Sequence, residues 1–211
     1  MKISKNFLAI VIFSQSLLSA QNSIKSVTIG KQVWMAKNLN VSTFRNGDTI
    51  PEAKSNKAWS SAGKKRKPAW CYYDNKAANG KKYGKLYNWY AVNDKRGLAP
   101  KGWHIPDADE WIALTDTLGG QIAAGNKMMT DTDWISNPHA TDSSGFTALP
   151  AGIRIYEGTF DNIPDKCGFW SATDEDVMDA LYMEIKDLSF TFTPEADFKA
   201  SGFSVRCLKN N

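Results

Sequence analysis

From Gly152 to Leu208 the chain carries five short runs, GIRIYEGTF, CGFWSAT, ALYMEIK, LSFTFT and GFSVRCL, separated by Pro, Gly, Asp and Asn. Apolar and polar residues alternate in them, which is strand patterning, and the residues between them are turn formers. Ahead of them, SVTIGKQVWMAKNLNV (26–41) alternates around Gly30-Lys31 and reads as a hairpin, Val27 and Ile29 before the turn, Val33 and Met35 after it. Helical patterning is confined to the middle of the chain. A hairpin, then helix, then a run of strands is the order of an α+β fold, not of a doubly wound parallel sheet. The expectation is one compact domain with one or two helices, a late antiparallel β-sheet and long irregular loops.

The strongest helix signal is GWHIPDADEW (102–111). Pro106 precedes Asp107, and Glu110 follows three residues later, the arrangement of a capping box in which each side chain satisfies the other's backbone donor. Asp109 adds favourable charge to the first turn. Trp111, Leu114, Thr115 and Leu118 then share one face, and Gly119-Gly120 ends the helix. A weaker amphipathic stretch runs from Gln121 to Met129. Residues 42–69 hold few apolar anchors and read as a long loop whose KKRK (64–67) faces solvent. Residues 68–92 are aromatic throughout and fit two short strands, or one strand and an irregular segment. KLYNWYAV (85–92) within them is left between extended and helical.

Residues 1–20 pair a basic start with an apolar run that ends in small residues, the layout of a secretory signal peptide cleaved after Ala20. The run is too short and too interrupted to span a bilayer. Gln21 and Asn22 stand where a lipoprotein needs cysteine, so the mature chain, residues 21–211, reads as exported and unlipidated, periplasmic or extracellular. Without Lys2 and Lys5 the 26 basic residues fall to 24 against 22 acidic ones, a balance that argues against a nucleic-acid binder.

Residues able to do chemistry are few. His104 and His139 stand in unlike contexts, and their spacing supports no metal site; His104, between Trp103 and Ile105, reads as a packing residue with one ring nitrogen bonded to backbone. Cys71, Cys167 and Cys207 leave at least one thiol unpaired and allow three single-bridge pairings. No His or helix start beside Cys167 would lower its pKa. Asp174, Glu175, Asp176 and Asp179 crowd one loop and supply the oxygens that Ca²⁺ takes, but not at the helix–loop–helix spacing. A solvated acidic loop is the expectation, with Ca²⁺ as the one cofactor worth testing.

IGKQVWMAKNLNV, WCYYDN, YGKLYNWYAV, GLAPKGWHIPDADEW, SSGFTALPAGIR, GFWSAT and GFSVRC together resemble the Fibrobacter succinogenes major paralogous domain, a family abundant in exported proteins of Bacteroidetes. The resemblance spans about residues 26–208. It implies a C-type-lectin-like, formylglycine-generating-enzyme-like fold, in which a late sheet and its loops display a variable surface. Two departures stand out. The segment Ala172–Ser201 is acidic and Phe-containing and has no asparagine, unlike the Asn- and Tyr-rich segment of relatives. Ala99 stands where many relatives have cysteine, which leaves Cys207 to pair with Cys71 or Cys167, or to stay free. The paired active cysteines and metal motif of the formylglycine-generating enzymes are missing from the sequence.

The expected function is a non-catalytic binding module for a glycan, a peptide or a surface protein. Alternation places Tyr182, Glu184 and Lys186 on one face, the candidate contact surface along with Asp174 and Asp176, and sends Leu181, Met183 and Ile185 to the core. The alternatives are an acid–base or metal-assisted hydrolase built on His104, Asp107 or the 174–179 carboxylates, and a cell-surface or adhesin component.

Overall fold

The computed structural model describes residues 24–135, 138–161, 165–186 and 192–211; the proposed leader, residues 1–20, lies outside them. The N-terminal hairpin forms as patterned, β1 (Ser26–Ile29) and β2 (Gln32–Met35), and β2 then pairs with the last strand, β12 (Leu208–Lys209), which pairs with β5 (Trp103–His104). This first sheet joins the two ends of the described chain.

Five helices, not one or two, stand among the described residues. They are α1 (Asn56–Lys64), α2 (Ala77–Tyr83), α3 (Trp89–Val92), α4 (Ala108–Thr117) and α5 (Gln121–Met128). The capping box of α4 is present with both reciprocal bonds, and Trp111, Leu114, Thr115 and Leu118 are buried. The long loop expected at 42–69 is broken by α1, capped by Ser55, whose hydroxyl accepts from the Ala58 amide. One residue, the buried Trp59, anchors that helix, so no apolar stripe announces it. KLYNWYAV resolves into β4 (Leu86–Asn88) followed at once by α3, with the Asn88 side chain as the cap between them.

Three sheets replace the single late one. Besides the first, β3 (Trp70–Cys71), β4, β11 (Gly202–Phe203), β6 (Ile153–Arg154) and β7 (Phe160–Asp161) form a five-stranded sheet. The third holds β8 (Lys166–Asp174), β9 (Asp179–Lys186) and β10 (Phe192–Phe198) in the order β10-β9-β8. The class remains α+β, but the expectation of one late sheet with one or two helices is overturned. It grouped the short strands of GIRIYEGTF and GFSVRCL into one late sheet, whereas their pairings are long-range, as Gly202 to both Asn88 and Arg154 shows.

The β8–β9 hairpin is an interior layer. Alternation holds along it, but each face meets its own core. Trp170 and Tyr182 join Phe203, Trp89, Trp70 and Tyr87 on one side. Phe169, Met183 and Ile185 join Trp111, Trp34, Phe146 and Phe192 on the other. On the first side Tyr182 stacks on Phe203 at 4.3 Å; on the second Trp34 lies 4.6 Å from Trp111. Antiparallel sheets commonly keep one wet face, and here both are covered. β10 is the edge, and its exposed Pro194 and Glu195 blunt it against further pairing.

Candidate functional site

A cleft of about 370 Å³ opens where α1, α3, the β6–β7 turn and the end of β10 meet. Tyr90, Tyr156, Phe198 and Met178 form its apolar walls, and Ser60, Lys64 and Glu157 its polar rim. Tyr156 and Phe198 meet edge to face at 4.7 Å, yet remain 40% and 38% exposed, as does Met178 at 50%. Large rings left this open and facing one concavity are a usual mark of a binding site.

Each wall is held by a specific contact. Arg154, fully buried between the rings of Trp59 (4.8 Å) and Phe160 (4.5 Å), donates to the Gly158 carbonyl at 2.9 Å and the Ala53 carbonyl at 2.8 Å. That fixes the turn carrying Tyr156 and Glu157. Gly158 has φ +110°, and a Cβ there would stand 2.6 Å from the Asn56 Cα, so this turn meets the start of α1 only as glycine. Gly63 does the same for the floor, since a Cβ on it would stand 2.7 Å from that of Ala200. The Tyr156 hydroxyl donates to Glu157 Oε1 at 3.2 Å, and that carboxylate raises the phenol's pKa.

The acidic loop predicted as contact surface sets the fourth wall. Asp176 Oδ1 accepts from the Met178 and Asp179 amides at 2.7 Å each, and those two bonds lower its pKa. Lys199 lies over the Trp89 ring at 4.9 Å, pairs with Asp174 at 2.6 Å and donates to the Asp176 carbonyl. The loop expected to be solvated thus holds an ammonium of the chain itself, where Ca²⁺ was the cofactor to test. Burial, with Asp176 and Asp197 nearby, raises the pKa of Asp179. Asp174 and Asp176 therefore position Met178 at the cleft, and their carboxylates are engaged within the chain.

Tyr182, Glu184 and Lys186 are brought together, but not on a free surface. The Tyr182 hydroxyl donates to Glu184 Oε1 at 3.2 Å; Lys166 pairs with the same oxygen at 2.5 Å and Lys186 with Oε2. Glu184 is 1% exposed and Tyr182 is buried against Phe203, so of the three only Lys186 meets solvent. Burial and then the Glu184 charge push the Tyr182 phenol far above its usual range. The reading of this face as open is corrected: its residues do share it, but the first core covers it.

His104 stands half-exposed with both ring nitrogens engaged, Nδ1 with Asn210 Oδ1 at 2.8 Å and Nε2 with Glu110 Oε1 at 2.9 Å. Its partners are side chains, not the expected backbone. Glu110 also accepts from the Asp107 amide, so the histidine, the cap and the chain's last strand form one structural knot. Among the described residues no three His, Cys, Asp or Glu side chains gather as a metal site. Cys71, Cys167 and Cys207 are free, buried thiols, each in a different core cluster, so the bridge from Cys207 to Cys71 or Cys167 is not formed. Burial pushes their pKa values up to about 11, about 12 and about 12.

Sequence reasoning missed the buried cations. Arg154 shapes the cleft, Lys85 lies 4.2 Å from the Trp70 ring and donates to the Asn40 carbonyl at 2.9 Å, and Arg206 ties residues 35–38 to residues 146–147. The available signal was a lone Arg between apolar residues in GIRI and SVRC, where alternation alone would put a solvent-facing side chain.

No helix among the described residues is long and apolar enough to cross a membrane. Comparison with curated proteins and with solved structures gives no match. The description of the Fibrobacter succinogenes major domain matches residues 27–209, nearly the whole chain. Three of the stretches that carry the family resemblance fall at the joints just described, with GWHIP at the knot, YGKLYNWYAV at the strand-to-helix switch and SVRC at the buried guanidinium. This chain belongs to the Fibrobacter succinogenes major domain family.

Proposed function

We propose that this is an exported, non-catalytic binding module whose ligand seats in the cleft of Tyr90, Tyr156 and Phe198. The observation that carries the reading is the pairing of exposed aromatic rings with a rim of hydroxyl, ammonium and carboxylate groups in one concavity. A saccharide unit matches it: its C–H face packs on a ring, and its hydroxyls bond to Ser60, Lys64 and Glu157. The walls are fixed in advance by Arg154 and Lys199, which lowers the ordering cost of binding.

The test is a glycan array followed by calorimetry on the best hit, comparing the wild type with Tyr156→Ala/Phe198→Ala. Loss of two stacking rings at about 1 kcal/mol each predicts weakening of about 30-fold. Unchanged affinity in the double variant sinks the assignment of the site. Turnover of the hit by the wild-type protein would sink its non-catalytic character.

A further inference from the structure

A second concavity, of about 330 Å³, lies between the segment after β2 and α2, with Lys25, Lys37, Lys81, Lys82, Asn40 and Arg206 among its walls. Its charge is one-sided. Lys82 is paired with Asp133 at 2.5 Å, but Lys25, Lys37 and Lys81 form no ion pair with any described residue.

The floor adds a cation of a different kind. Arg206 is fully buried, and its donors go to Asn38 Oδ1 and to the carbonyls of Met35, Phe146 and Thr147, with no carboxylate among them. Carbonyl oxygens satisfy the N–H groups without neutralising the charge. Burial draws its pKa down to about 10, as expected of a guanidinium without a counter-ion. Asp142 contributes from further off, its carboxylate taken by the Thr147 amide at 2.7 Å and hydroxyl at 2.9 Å.

We infer that this concavity is an anion site for a single sulfate, phosphate or carboxylate group. Three ammonium groups without ion pairs supply direct contacts, with the one Asn40 amide hydrogen that the Gly80 carbonyl does not take. Arg206, its donors already used, acts through its field, which low-dielectric surroundings strengthen. Lysines recognise an anion as point charges, so the site selects charge and size over bidentate shape. Its volume holds one oxyanion-bearing unit and not the backbone of a nucleic acid.

Calorimetry at constant ionic strength, with inorganic sulfate and with a sulfated disaccharide, tests this on the wild type and on Lys25→Glu/Lys37→Glu/Lys81→Glu. All three side chains are exposed, so the variant keeps its fold, checked by circular dichroism. The expected result is saturable one-to-one uptake that weakens about tenfold or more in the triple variant and persists in Tyr156→Ala/Phe198→Ala. Equal affinities assign the site to a free ion, and tighter disaccharide binding assigns it to a saccharide-borne group. Absence of saturable uptake of either probe, or uptake unchanged in the triple variant, overturns the inference.

Discussion

Replacing Arg206 by Met tests how a chain with so little regular structure holds together. The guanidinium ties the end of β2 and the residues after it (Met35 carbonyl at 3.0 Å, Asn38 Oδ1 at 2.7 Å) to the loop at Phe146 and Thr147 (2.5 and 3.3 Å). Two of those bonds, to Met35 and Phe146, are wholly buried. A buried acceptor left without a donor costs about 1–3 kcal/mol, so the pair costs about 2–6 kcal/mol. Methionine keeps most of the stem's packing and removes the burden of a buried charge, which offsets part of that. The expected net loss is about 3 kcal/mol, a large fraction of the roughly 5–15 kcal/mol that holds a domain folded. Urea unfolding followed by tryptophan fluorescence reads it as a midpoint about 1–2 M lower at unchanged slope. Arg206→Lys should fall between, because one ammonium with three donors cannot serve both segments. A midpoint for Arg206→Met within about 0.5 kcal/mol of the wild type would refute the idea that this side chain joins them.

Asp107→Ala removes the cap of α4 and frees Glu110 from its reciprocal bond; a loss of about 1 kcal/mol in urea unfolding is expected, and no loss would mean that the box is ornamental. The three thiols stay protonated in the folded chain up to about pH 11, whereas unfolded cysteines ionise near pH 8.5. The unfolded state therefore binds fewer protons above that pH, and stability should be level to about pH 8.5 and then fall by on the order of 1 kcal/mol per thiol per pH unit until the folded values are reached. Unfolding midpoints unchanged from pH 8 to pH 10 would contradict the burial, as would rapid thiol labelling of the native protein. Millimolar Ca²⁺ should leave the melting temperature unchanged, because Lys199 already pairs with Asp174 and holds the Asp176 carbonyl. A saturable rise would show that the ion displaces the ammonium.

What could be read from the sequence was local. The capping box at Asp107 and Glu110, the hairpin around Gly30 and the face of Trp111 and Leu114 rest on residues within a few positions of each other, and they stand as patterned. What could not be read was set by partners far along the chain. Trp59 carries α1 alone because Gly202 and Arg154 receive its ring. Tyr182 and Glu184 alternate like surface residues, but Phe203 and Lys166 cover them. The segment chosen as the contact surface, Ala172–Ser201, does reach the cleft, through Met178, Phe198 and Ala200 instead of through its charged residues. Tyr90, Tyr156 and Lys64 come from three other places in the sequence, and no spacing links them.

The most direct test of the binding account is an amide-resolved NMR titration of the wild-type protein with the best saccharide from the array. The account predicts saturable shifts concentrated at Gly63, Tyr90, Glu157, Met178 and Ala200, with His104, Asp107 and Glu110 unmoved. Shifts centred on His104 and Glu110, with the cleft silent, would contradict it and return the histidine to consideration as a site of chemistry.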